Sequence, residues 1–280
     1  MFYTWEGKHL IQRIEIQAKD VIWNQKQTNL LAITSKDSFF LLEYQPDVVK
    51  EAVSAAAEDE PIEEGVDDSF EVISETFDKV ESGIWINKVF FYLNQVNKLN
   101  FIAKEKVFNY CFIENAGHIL GHLKNQGRLY LNDKKNNVIS QELPVKFSEA
   151  ISNAVDGDYK ALKRNLKGLK SGQVNKIARF LEGLDKLEVA FEVVENLDTK
   201  FGYAIRLGLI QEASELAEQD GSSVKWKKIG DLSLQSGDFD QAEVCFKKAS
   251  DYSSLFLLYS SLGKIFPIFF NFEIFAIFGL

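Results

Sequence analysis

The stretch "CFIENAGHILGH", residues 111–122, gathers four side chains of metal-binding type: Cys111, Glu114, His118 and His122. A thiolate, a carboxylate and two imidazoles can form a tetrahedral zinc site if they converge. On a helix, His118 and His122 would share a face. Gly117 and Gly121 argue instead for turns and strands, and two residues four apart along a strand lie about 13 Å apart, too far for one ion. Other chemistry is equally thin. The chain has three histidines, and acidic pairs such as Glu63 and Glu64 lie in a segment with nothing to fix their geometry. Neither a phosphate-binding glycine loop, a nucleophile elbow, an HExxH helix nor paired CxxC motifs occur. The expectation is a protein that is not an enzyme, with no catalytic, cofactor-binding or metal-binding residues.

The elements around these residues divide into two textures. "FYTWEGKHLIQRIEI" offers two β-runs about a Gly-Lys turn, the second carrying Ile14 and Ile16 in alternation. "VIWNQKQTNLLAITSKDSFFLLEY" reads as three strands separated by polar turns at Asn24–Thr28 and Ser35–Asp37. From Gly83 to Pro144, polar breaks near Asn94–Asn97, Lys104–Lys106, Glu114–Gly117, Lys124–Gly127 and Asn132–Asn137 mark five or six more strands. Short strands at such spacing form a meander, as in a sheet, sandwich or propeller blade. Pro144 is where β-structure should end.

An acidic segment interrupts the strands. Residues 51–81 hold twelve acidic side chains against Lys79 alone, so the net charge of −9 resides there and the remainder is near neutral. The segment from about 50 to 68 is expected to be a mobile insertion. Phe70, Ile73, Phe77 and Val80, at helical spacing, predict a helix docked on the body. No basic face with interleaved aromatics appears, so no nucleic-acid partner is expected.

Beyond about Ser148 the pattern is helical, with Ser171, Asp198, Ser223 and Asp251 placed to cap helices. "WKKIGDLSLQSGDFDQAEVCFKKASDY", residues 226–252, carries Trp226, Ile229, Gly230, Gly237, Ala242, Phe246 and Ala249 at the offsets of a tetratricopeptide-type hairpin. Gly230 and Ala242 fall at the helix crossing, Gly237 at a left-handed turn and Asp238 at the next cap. Ser233 replaces the usual aromatic and no proline closes the unit. Glycines at 183, 208, 237 and 263 recur at steps of 25, 29 and 26 residues, which fits a degenerate α-solenoid better than a strict 34-residue repeat. The last stretch, "KIFPIFFNFEIFAIFGL", lacks the small and polar alternation of these hairpins and is interrupted by Pro267, Asn271 and Glu273. It is shorter than the ~20 residues that span a bilayer and reads as a chain end unrelated to the repeat.

At 280 residues and 46% apolar, the chain can bury the cores of two domains. Cys111 and Cys245, far apart, suit a reducing compartment as core thiols. "MFYTWEGKHL" lacks the features of a signal peptide, and no N-x-Ser/Thr sequon occurs. A cytoplasmic location is expected.

Residues 1 to about 263 resemble the coatomer beta-prime family of the COPI vesicle coat. The segments that carry the likeness are "LIQRIEI", "SFFLLEY", "DDSFEVISE", "SGIWINKVFFYLNQVNKLNF", "GRLYLNDKKNNVIS", "ARFLEGLDKLEVAFEV", "FGYAIRLGLIQEASELAE" and the run from "VKWKKIGDL" to "YSSLG". The resemblance implies an α+β multidomain chain: the last blades of a second WD-repeat propeller over 1–147, a tetratricopeptide-like α-solenoid over 148–263, and a Phe-rich tail over 264–280. Trp5-Glu6 and Trp23-Asn24 stand where a WD dipeptide would be, so the blades are degenerate. It also implies a coat scaffold in transport between Golgi and endoplasmic reticulum. Its partners would be the coatomer alpha subunit and other coat subunits, and it would sit peripherally on Golgi membrane and vesicles. Dilysine cargo binding, a property of the family's first propeller, is not implied here. Another propeller-plus-solenoid scaffold, such as an intraflagellar-transport component, is the alternative.

Overall fold

In the computed structural model, residues 1–5, 9–56, 61–103 and 105–263 are described. The Gly7-Lys8 turn, part of the acidic segment and the Phe-rich tail lie outside them. The chain divides into two compact units, Met1–Gly183 and Leu184 onward.

The first unit is a run of antiparallel meanders. A short pair, β1 (Phe2–Tyr3) and β2 (Leu10–Gln12), precedes a four-stranded sheet of β3 (Asp20–Trp23), β4 (Leu30–Thr34), β5 (Phe39–Tyr44) and β6 (Phe70–Thr76). Ile14 and Ile16 follow β2 outside any strand. A second four-stranded sheet comprises β7 (Val80–Ile86), β8 (Val89–Asn94), β9 (Lys98–Ala103) and β10 (Lys106–Phe112). Three strands complete the series: β11 (Ala116–Leu123), β12 (Arg128–Asp133) and β13 (Val138–Glu142).

Each of the three larger sheets is one β-meander blade, and their first strands lie side by side. The Trp85 indole Nε1 donates to Ile22 O at 2.9 Å, joining β7 to β3. Ile119 N donates to Ser82 Oγ at 2.8 Å, joining β11 to β7. These are blades of a β-propeller-type domain. Every residue of β8 is buried, as a strand must be when sheets cover both its faces. Asn87, Asn97, Asn115 and Asn136 occupy left-handed turn positions between strands, where asparagine tolerates positive φ. The turn at Asn87 falls inside "WINKVFF", which reads as one run in sequence, so the second blade has one strand more than the polar breaks indicate.

Two expectations are corrected here. The segment 50–68 is not a mobile insertion in its described parts: α1 (Pro46–Ala55) buries Val49, Leu10 N donates to Ile62 O at 2.9 Å, and Val66 N donates to Ile11 O at 2.7 Å. Its apolar residues Ala52, Val53, Ile62 and Val66, with Val49 just before it, dock it on the core beside Leu31 and Leu42. Phe70, Ile73, Phe77 and Val80 do not form a helix. Phe70 and Ile73 lie on strand β6, Phe77 is exposed, and Val80 opens β7. A bulge opposite Leu41 and Leu42 inserts Ile73, shifting the alternation by one and imitating helical spacing.

Strand gives way to helix across Leu143 and Pro144, and α2 (Val145–Asp156), α3 (Tyr159–Leu166) and α4 (Ser171–Gly183) follow within the first unit. They join it through aromatic contacts. Phe101 of β9 meets Phe147 of α2 at 5.9 Å and Phe180 of α4 at 5.8 Å between ring centroids. Gly183 is not a turn glycine: a Cβ there would meet the Phe108 ring at 2.6 Å, and Asp185 takes the left-handed position instead. The glycine allows α4 to approach β10 closely.

The second unit is a series of antiparallel helices: α5 (Leu187–Val193), α6 (Leu197–Leu207), α7 (Ile210–Asp220), α8 (Ser223–Ser236), α9 (Phe239–Ala249) and α10 (Tyr252–Ser261). Gly208, Gly237 and Gly263 have φ of 73°, 81° and 68°, the left-handed turns that the glycine spacing predicts.

Candidate interaction site

The four residues of metal-binding type do not converge. Cys111 is half-buried on β10, and burial pushes its thiol up to about 11, opposed by the nearby Lys176 ammonium. A protonated thiol is neither a ligand nor a nucleophile. Lys176 of α4 lies over the Tyr110 ring at 4.2 Å from its centroid and donates to Tyr110 O; burial pushes its own pKa down. Glu114 is exposed at the β10–β11 turn and His118 is exposed on β11. His122 Nε2 donates to Leu143 O at 2.8 Å. Among the described residues no three His, Cys, Asp or Glu side chains are placed to hold a metal ion.

The arrangement suited to a function is the helical stack. In the α8–α9 hairpin Gly230 takes the Phe246 ring against its backbone, where a Cβ would stand 2.6 Å from the ring. Ala242 and Ile229 are fully buried at the same crossing. Asp238 caps α9 by accepting from Gln241 N at 3.0 Å, and Asp251 caps α10 by accepting from Ser254 N at 3.1 Å. Of the other expected caps, Asn196 rather than Asp198 starts α6, Ser222 precedes Ser223 at α8, and Ser171 is the first residue of α4. Trp226, Ile229 and Cys245 share a core with Phe201, Ala213 and Ala217 of the preceding hairpin. Ala242 and Phe246 pack with Leu255, Leu258 and Tyr259 of α10. Each hairpin is thus closed by its neighbour.

Lysines staple the stack from outside, and nothing in the repeat pattern signals them. Lys225, with its side chain 11% exposed, pairs with Asp198 of α6 at 2.7 Å and Asp220 of α7 at 2.9 Å. The hydrogen bonds to Asp198 and then Asp220 raise its pKa, so it stays charged. Lys248 reaches Glu218 of α7 at 2.6 Å while lying 4.0 Å from the Trp226 ring centroid. Lys227 pairs with Asp251 at 2.6 Å, which holds that carboxyl below the usual range. Apolar side chains remain on the surface: Val224, Phe239 and Val244 on α8 and α9, then Phe256 and Leu257, at 56% and 67% exposed, on α10. Rigid helices carrying exposed apolar groups can bind other proteins.

Residues 1–133 match the family described as the COPA/B second beta-propeller, and residues 152–268 match the COPA/B TPR domain. Relatives align across both. The chain is 36% identical over 263 residues to coatomer subunit beta'-1 of Oryza sativa subsp. japonica, covering 94% of this chain and 29% of the relative. To coatomer subunit beta'-3 of Arabidopsis thaliana it is 37% identical over 262 residues, 94% of this chain and 28% of the relative. To coatomer subunit beta' of Rattus norvegicus it is 32% identical over 265 residues, 94% and 29%. The chain belongs to the coatomer beta-prime family. It spans less than a third of the length of these relatives. In coatomer beta-prime terms, β1–β12 fall within the region that matches the second propeller and the α8–α9 hairpin lies within the region that matches the tetratricopeptide domain. Among the described residues no helix is long and apolar enough to cross a membrane.

Proposed function

We propose that this chain acts as part of a COPI coat scaffold in transport between Golgi and endoplasmic reticulum, by assembly and not by catalysis. Residues 1–147 form the propeller part and 148–263 the solenoid part, and the match to the tetratricopeptide domain runs on to 268, into the Phe-rich stretch. The solenoid holds the coatomer alpha subunit, and the coat brings the chain to the cytosolic side of the Golgi membrane. The observation that carries this reading is the continuous hairpin stack from Phe201 to Tyr259, whose outer surface displays Phe256 and Leu257. The chain carries the matched propeller region and, after it, the matched tetratricopeptide region.

The test is capture from cytosol with the tagged 280-residue chain. Recovery of the coatomer alpha subunit, lost with Ala242→Phe, is the expected result. Recovery of intraflagellar-transport subunits in its place, or of no coat subunit, overturns the reading. The chain is also expected not to bind a dilysine peptide.

A further inference from the structure

Residues 159–181 hold seven lysines and arginines and no carboxylate, in a chain whose net charge is −9. Four of them form one stripe. Lys160, Lys163, Arg164 and Lys167, on α3 and its C-cap, follow the i, i+3, i+4, i+7 spacing of a single helix face, and all four are exposed. The opposite face packs on the body, with Leu162 fully buried and Tyr159 and Leu166 half-buried. The stripe runs about 10 Å along the helix. Lys146 of α2 is exposed beside it, its Nζ donating to Lys167 O at 2.8 Å. The helix dipole favours cations in the last turn of α3 but disfavours Lys160 in the first, so it does not account for the stripe.

The carboxylates around it are committed elsewhere. Glu142 pairs with Lys170 at 2.6 Å, Asp156 pairs with Lys88 at 2.8 Å, and Asp158 caps α3 by accepting from Ala161 N at 3.0 Å. Glu149 of α2 is half-buried. Among the described residues, Lys160, Arg164 and Lys167 pair with no carboxylate. The acidic segment docks beside Leu31 and Leu42 of the first large sheet, whereas α3 packs on α2, which lies against β8 and β9 of the second.

What surrounds the stripe selects its partner. Between Val138 and Leu197 no large apolar side chain is exposed among the described residues. A protein interface is centred on apolar and aromatic groups, and a single-stranded nucleic acid is held on aromatic platforms; this surface offers neither. The headgroups of an anionic bilayer need only several cations brought to one plane, and the flexible lysine stem suits headgroups that move laterally. We propose that the outward face of α3, with Lys146, binds the surface of an anionic membrane by electrostatic attraction, with no apolar group inserted. This goes beyond the coat reading, in which other subunits bring the chain to the membrane. Vesicle binding is measured with no other subunit present, so its failure and a failure to capture the alpha subunit are separate results.

The test is co-sedimentation of the 280-residue chain with phosphatidylcholine vesicles carrying roughly 30% phosphatidylserine, and with phosphatidylcholine vesicles alone. The expected result at about 0.1 M salt is binding to the anionic vesicles only, lost at about 1 M salt, where the screening length falls to ~3 Å. Each cation near such a surface contributes about fivefold. Lys160→Gln, Lys163→Gln, Arg164→Gln and Lys167→Gln together should therefore weaken binding on the order of 100-fold, to the level of the neutral vesicles, with melting temperature unchanged. If that variant does not fold, Lys160→Gln with Arg164→Gln should weaken binding on the order of tenfold. Lys98→Gln, Lys124→Gln, Lys134→Gln and Lys135→Gln together remove the same charge from exposed positions elsewhere and should leave most of the binding. Equal binding to neutral vesicles, an equal loss in this control, or binding retained without the stripe overturns the proposal. So does stripe-dependent binding of an RNA duplex or a polyglutamate peptide with none to the anionic vesicles.

Discussion

The two units solve the same burial problem at different ranges. In the blades the large buried side chains come from positions distant in sequence: Phe39 meets Tyr92 at 4.8 Å, and Phe101 gathers Phe91, Phe108, Phe147 and Phe180 around it. In the helical unit the close contacts join neighbouring helices, Gly230 with Phe246 and Ala242 with the residues of α10. A core shared across sheets and helices should fail as a block. A stack of nearest-neighbour contacts should fail locally.

The strongest way to break that contrast is Phe101→Ala. Removing a fully packed phenylalanine costs about 3–5 kcal/mol, and here it lies between sheet and helices. Amide exchange should accelerate together in β7–β10, α2 and α4 while α6–α9 keep their protection. Unequal loss, with α2 and α4 still protected, would dissolve the block. Ala242→Phe is next, at about 1–3 kcal/mol from overpacking a closed crossing. Its loss of protection should be confined to α8–α10, with the blades unaffected, and an unchanged melting temperature would contradict the crossing.

Smaller effects sharpen the local side. Asp238→Ala removes the α9 cap and should cost about 1 kcal/mol, seen in denaturant midpoint and in fraying of α9. Lys227→Gln is the smallest. Its partner Asp251 has a folded pKa below its unfolded value, so the pair stabilises the fold above the unfolded pKa and that contribution fades as pH falls through the folded one. The variant should be slightly less stable at neutral pH and converge on the parent once the pH has fallen below the folded pKa of Asp251. A constant difference across the acid limb would remove the pair from the account.

Legibility in the sequence followed the same division. Gly237, Asp238, Gly230 and Ala242 could be placed from spacing alone, because a hairpin's turn, cap and crossing are set by residues a few positions apart. The β-turns at Asn97 and Asn136 were readable for the same reason. The acidic segment was misread because composition shows repulsion among its carboxylates but not the docking of its scattered apolar residues. β6 was misread because a bulge changes the period on one strand only. Gly183 looked like one more repeat glycine, whereas its reason lies in Phe108, 75 positions earlier. Nothing local marked Lys225, whose two carboxylate partners belong to other helices.

By itself the sequence determined the change from strand to helix near Pro144, the order of meander and hairpins, and the family they compose. These follow from short-range rules of turn, cap and side-chain period, which each segment states for itself. Only the tertiary structure decided that α2–α4 belong with the blades and that residues 61–66 are pinned to β2. Those outcomes depend on shape and distance between residues far apart in the chain, and a periodic pattern carries no record of either.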